Sequence, residues 1–135
     1  MKEGRRRHSC FYDQISNSIY VTGGTNKKHE NALNGEPLSS TEKLNMDNNI
    51  WESTTNLPEA LFDSAAVASK SEQFIGFIAG GLREKKDGEK IHRATEKIWG
   101  MRRKDLAWVE MPQKLKGTRH SHSMLNLASG EVPGC

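Results

Sequence analysis

The chain has 135 residues, with 20 basic and 17 acidic side chains and a net charge of +3. That length fits one domain, and a charged fraction of 27% does not force disorder. So balanced a charge leaves no nucleic-acid footprint, and no run approaches the ~18 apolar residues of a membrane span.

From the N-terminus, Met1-Lys2-Glu3-Gly4-Arg5-Arg6-Arg7-His8 carries charge with no apolar run behind it, so it does not read as a signal peptide. Cys10 and Cys135 are too few for a disulfide framework, and a reducing, cytoplasmic setting is the expectation. A first short strand is predicted near residues 9–12. A second follows at Ser18-Ile19-Tyr20-Val21-Thr22 and ends in Gly23-Gly24. A third carries Thr41-Glu42-Lys43-Leu44, and a fourth carries Trp51.

The same order then returns. A first strand is expected at residues 64–68, and the run Phe74-Ile75-Gly76-Phe77-Ile78-Ala79 ends in Gly80-Gly81, 57 positions after the first pair. Trp108 follows Trp51 by 57. Thr95-Glu96-Lys97-Ile98 and Met111-Pro112 follow Thr41-Glu42-Lys43-Leu44 and Leu57-Pro58 by 54. Arg119-His120-Ser121 follows Arg7-His8-Ser9 by two periods of 56, and the copy between them is Asp63-Ser64-Ala65. Several landmarks in one order at one spacing indicate a structural repeat. No helical spacing is sustained; the alanines of residues 59–68 suit an inner strand.

The order Arg-His-Ser, apolar strand, Gly-Gly, Glu-containing strand, Trp, Leu-Pro resembles the kelch repeat, from Arg7 to Leu127. The resemblance implies an all-β fold, a kelch-type β-propeller fragment of two four-stranded antiparallel blades plus the first strand of a third. Residues 1–58 would be the first blade, 59–112 the second, and 113–135 the start of a third, with its strand near 121–127. Leu44 and Ile98 stand where the family usually has an aromatic residue, and the second unit lacks the Arg-His opening. Since propellers close with about 4–8 blades, the remaining blades are expected from a longer chain or by association.

The glycines Gly23, Gly24, Gly80 and Gly81 are expected to serve the backbone, through positive φ and close approach of a neighbouring blade. The rival phosphate-binding role lacks a following Gly-Lys-Ser/Thr or helix. Trp51 and Trp108 are expected to fill the wedge between blades, with a ligand-stacking platform as the alternative. His120 and His122 share a strand face, but His8, His29, His92 and the cysteines do not complete a four-ligand zinc set, so no metal or other cofactor is expected. An enzyme of the galactose-oxidase kind is the alternative on the same architecture. Tyr12 and Tyr20 read as strand residues instead, and no cysteine stands in a cofactor-forming context. A nonfunctional truncated product is the third reading.

Two long loops, residues 25–40 and 82–94, separate second from third strands on one face, together with the turns at Arg7 and Arg119. A protein or peptide partner, acidic in character, is expected there, at Arg7, Asn26, Lys28, Arg83, Lys86 and Arg119. The alternative is that the loops are merely solvated. Relatives recruit substrates to ubiquitin ligases or bind actin. The runs Arg5-Arg6-Arg7 and Arg102-Arg103-Lys104 read as solvated turns.

Overall fold

The computed structural model describes residues 1–26 and 36–118; Lys28, Arg119, the strand expected at 121–127 and the histidines 29, 120 and 122 lie outside them. Twelve strands and no helix occur among the described residues. In the first unit, β1 (Ser9–Asp13), β2 (Ser18–Thr22), β5 (Thr41–Asn45) and β6 (Ile50–Ser53) form a four-stranded antiparallel sheet in that order. In the second, β8 (Ala65–Ala68), β9 (Phe74–Ala79), β11 (Lys97–Arg102) and β12 (Trp108–Lys114) do the same. The strand β12 runs two residues past the boundary expected at 112. Two short pairs complete the described structure: β3 (Thr25–Asn26) with β4 (Glu36–Pro37), and β7 (Leu61–Phe62) with β10 (Leu82–Arg83).

Register shows which residues are true copies. Gly23 donates its N–H to the Ser40 carbonyl at 3.1 Å, and Gly80 donates to the Lys97 carbonyl at 3.0 Å. Leu38 donates to the Gly24 carbonyl as Thr95 does to that of Gly81. Ile98 is therefore the counterpart of Thr41, and Trp99 that of Glu42, at a spacing of 57. This corrects the equivalence of the two Thr-Glu-Lys segments, because in the second unit Thr95 and Glu96 precede the strand. Met111-Pro112 is corrected likewise. The Leu115 N–H bonds the Glu96 carbonyl as the Leu57 N–H bonds that of Ser39, so Leu115 is the counterpart of Leu57.

The glycine pairs share one backbone shape: φ is 67° and 92° at Gly23 and Gly24, 66° and 97° at Gly80 and Gly81. A Cβ on Gly23 would lie 2.4 Å from the Leu61 carbonyl oxygen, so the approach of the next unit also demands glycine.

The core lies between the two sheets. Strand alternation turns Phe11 and Tyr20 of the first sheet toward Ile78, Trp99, Met101 and Trp108 of the second. Phe11 stacks on Tyr20 at 5.5 Å and meets Trp108 edge-on at 6.3 Å. Its ring lies over Gly76, where an added Cβ would come within 2.7 Å. Trp108 is 7% exposed and donates its indole N–H to the Thr55 carbonyl at 3.1 Å. Trp51, on the opposite face of the first sheet, is only half-buried, so the expectation of one role for both tryptophans holds for Trp108 alone.

Candidate functional site

The strand β7 joins the two long loops at one end of the sheets. Leu61 accepts from the Gly24 N–H and donates to the Leu38 carbonyl, both bordering the first loop, while β7 pairs with β10, which opens the second. Arg7 sits on this junction. Its φ of 58° turns the chain so that its carbonyl accepts the Asp63 N–H at 3.0 Å. Its guanidinium grips the Asp63 carboxylate through two bonds, the Nε one at 2.8 Å, and lies 4.8 Å from the centre of the Phe62 ring. Bidentate bonding raises the Arg7 pKa, with burial opposing it.

Asp63 occupies the repeat position of Arg7, one period on. The sequence shows it as a degenerate copy; the structure shows that the replacement supplies the ion pair between neighbouring units. The exchange of an arginine for an acid at one repeat position was the available signal.

Phe62 also meets His92 edge-on at 5.0 Å. His92 Nδ1 lies 3.0 Å from the Arg83 carbonyl oxygen, which can only accept, so Nδ1 carries the proton. Arg83 is held bidentately by Glu89 at 2.8 and 3.1 Å and also donates to the Glu84 carbonyl. Glu89 further accepts from the Lys86 N–H and from Arg93 Nε. The Arg83 bond and these donors hold its carboxyl down to about 2. Phe62 and Glu89 are not singled out by their sequence context, and His92 only as a candidate metal ligand, because their role comes from contacts across the loop.

Of the expected partner residues, the structure thus draws Arg7 and Arg83 into bonds within the protein. Asn26 is half-buried and donates to Glu3 Oε1 at 3.3 Å. The Lys86 side chain stands exposed at the loop tip, beside exposed Lys85 and Lys90.

The two arginine runs depart from solvated turns. The Arg5 side chain is fully buried, bonding Glu42 at 2.9 Å and the Gly23 and Ser40 carbonyls at 3.0 and 2.9 Å. Burial pushes the Glu42 carboxyl up, but donors from Lys2, Arg5 and Glu3 outweigh it and hold the group below its ordinary range. At the end away from the loops, Arg103 reaches from the second unit to Asp13 of the first at 2.9 Å, and also bonds the Ser71 and Phe74 carbonyls. Arg102 closes a local pair with Asp105, beside an open groove of about 350 Å³ lined by Glu72, Gln73, Phe74, Arg102 and Lys104.

Residues 6–58 match the family model of the Kelch motif. No curated protein matches the chain. The matched segment spans the first four-stranded sheet, and the second repeats its glycine geometry and strand order. Two antiparallel sheets so built, packed face to face around Phe11 and Trp108, make this chain a kelch-repeat protein, of the general class of protein-interaction propellers.

Proposed function

We propose that the chain binds a peptide or protein partner on the loop end, through acidic groups of that partner, and that its role is binding rather than catalysis. The observation that carries this reading is the β7 junction, which bonds Gly24 and Leu38 at the borders of the first loop and pairs with Leu82 and Arg83 at the start of the second. Arg7 and Arg83 shape that surface through Asp63 and Glu89. Exposed Lys86 offers charge to a carboxylate, with Asn26 at the border of the first loop. Lys28 and Arg119 join this set by their positions in the loop and in the repeat. Further blades, from a longer chain or by association, would extend the same mouth.

The test is binding of a fluorescent glutamate-rich peptide, compared with its glutamine counterpart. Lys86→Glu should lower affinity about tenfold and weaken the salt dependence, while Lys104→Glu, at the other end, leaves binding unchanged. Equal binding of both peptides would remove the acidic partner. Copper-dependent alcohol oxidation would restore the galactose-oxidase alternative.

A further inference from the structure

The two sheets present the same row of residues on the same face, and only one row is covered. In the second sheet, Ala68, Gly76, Met101 and Trp108 stand side by side across the strands, and the first sheet packs on them. Met101 is 0% and Trp108 7% exposed. The corresponding row of the first sheet is Tyr12, Ile19, Leu44 and Trp51. Tyr12 is 45% exposed, and Ile19, Leu44 and Trp51 are half-buried.

The surface that would cover such a row is also on the chain. The first sheet covers the second with Phe11 and Tyr20. Their counterparts in the second sheet, Val67 and Phe77, lie on its outward face, half-buried. The sizes compensate. Phe11 needs the space over Gly76, whereas its smaller counterpart Val67 would meet Ile19, which fills that space. The outward row is also more apolar than the one it copies, with Gly100 and Val109 where the first sheet has Lys43 and Glu52. Complementary volume on both sides is what a packed interface requires.

We propose that the Ile19–Leu44–Trp51 row of this chain is a docking face for a second copy, which seats the Val67–Phe77–Val109 face of its second sheet there. The contact continues the observed sheet-to-sheet interface across a molecular boundary. It uses two different faces, so it is heterologous, and association proceeds head to tail.

Light scattering on the whole chain tests this. The mass should rise with concentration above the 15.1 kDa of one chain. Trp51→Glu and Phe77→Glu should each remain monomeric alone, the first lacking the receiving face and the second the inserted one. Mixed in equal amounts they should form a heterodimer, because each retains the face the other has lost. Circular dichroism checks that both keep their sheets, and Val109→Glu replaces Phe77→Glu should the latter unfold. A wild-type chain that stays monomeric throughout overturns the proposal and assigns the face to another occupant. Self-association of the Phe77→Glu chain at wild-type strength, or failure of the mixture to pair, overturns it equally.

Discussion

At the entry to the first sheet, the chain places Arg5 against Glu42; at the matching entry to the second, it places Leu61 near Trp99. The positions correspond, because Arg6 bridges to Thr25 as Phe62 pairs with Leu82. The Arg5 and Glu42 side chains form an ion pair, 0% and 3% exposed, and those of Leu61 and Trp99 belong to the apolar core. The same step of the fold is thus closed by two kinds of chemistry. The apolar version belongs to a continuous core, and it leaves the buried Trp99 indole N–H without a partner among the described residues. The ionic version recruits the N–H groups of Lys2 and Glu3 and the carbonyls of Gly23 and Ser40, and among the described residues only Arg5 Nε of the pair is left buried without a partner. Segment 1–7 is thereby bound to the first sheet by polar bonds rather than by apolar area.

The largest expected effect falls on the apolar side. Trp108→Ala should cost about 3–5 kcal/mol in urea unfolding, the usual range for a buried tryptophan. Trp51→Ala, half-buried on the outer face, should cost about 1 kcal/mol. Equal losses would mean that the two rows are equally covered. This comparison is best made at low protein concentration, where copies do not cover Trp51.

On the ionic side, Arg5→Ala leaves Glu42 buried without its guanidinium and should cost about 3 kcal/mol. Arg5→Leu combined with Glu42→Leu should recover most of that loss, since replacing both charges by apolar groups is often neutral or better. A double variant no better than Arg5→Ala would show that the pair cannot be exchanged for the packing used in the second sheet.

Glycine substitution separates backbone strain from close approach. Gly23→Ala meets both a positive φ and the Leu61 carbonyl, while Gly88→Ala meets only a φ of 85° in open space. The second should cost about 1–2 kcal/mol, and the first clearly more. Similar thermal shifts for the two would contradict the contact at Leu61.

Acid should act on the ionic contacts alone. Burial pushes the Asp13 carboxyl up, but the Arg103 and Ser16 bonds outweigh it, so the group lies below its ordinary range, as Glu42 does. A carboxyl lowered in the folded state adds stability at neutral pH, which is lost as pH falls through its folded value. Unfolding should therefore ease progressively below about pH 4, and Asp13→Asn should flatten that dependence. An acid profile unchanged by Asp13→Asn would show that the Asp13–Arg103 pair does not contribute. The smallest effect is expected for Lys104→Glu, exposed at the end away from the loops, within about 0.5 kcal/mol of wild type.

Residue order alone determined the repeat, the strand order and the two glycine pairs. These depend on local backbone requirements: positive φ, turn-forming residues and period-two alternation. Local similarity misled where register mattered. Thr95-Glu96-Lys97 looks like Thr41-Glu42-Lys43, yet the places of buried Thr41 and Glu42 are taken in the second sheet by Ile98 and Trp99. The position of the strand follows from its hydrogen bonds to Gly80 and Ile78, not from side-chain identity. The loop end was legible as a place but not as a set of contacts. Arg7 and Arg83 are basic in sequence; that each is gripped by an acid 56 or six residues away is decided by chain geometry. The fate of Trp51 and Trp108 follows the same rule. Both belong to strands by propensity, but only packing of one sheet against the other buries Trp108 and leaves Trp51 half open, because burial is a property of the neighbour and not of the residue.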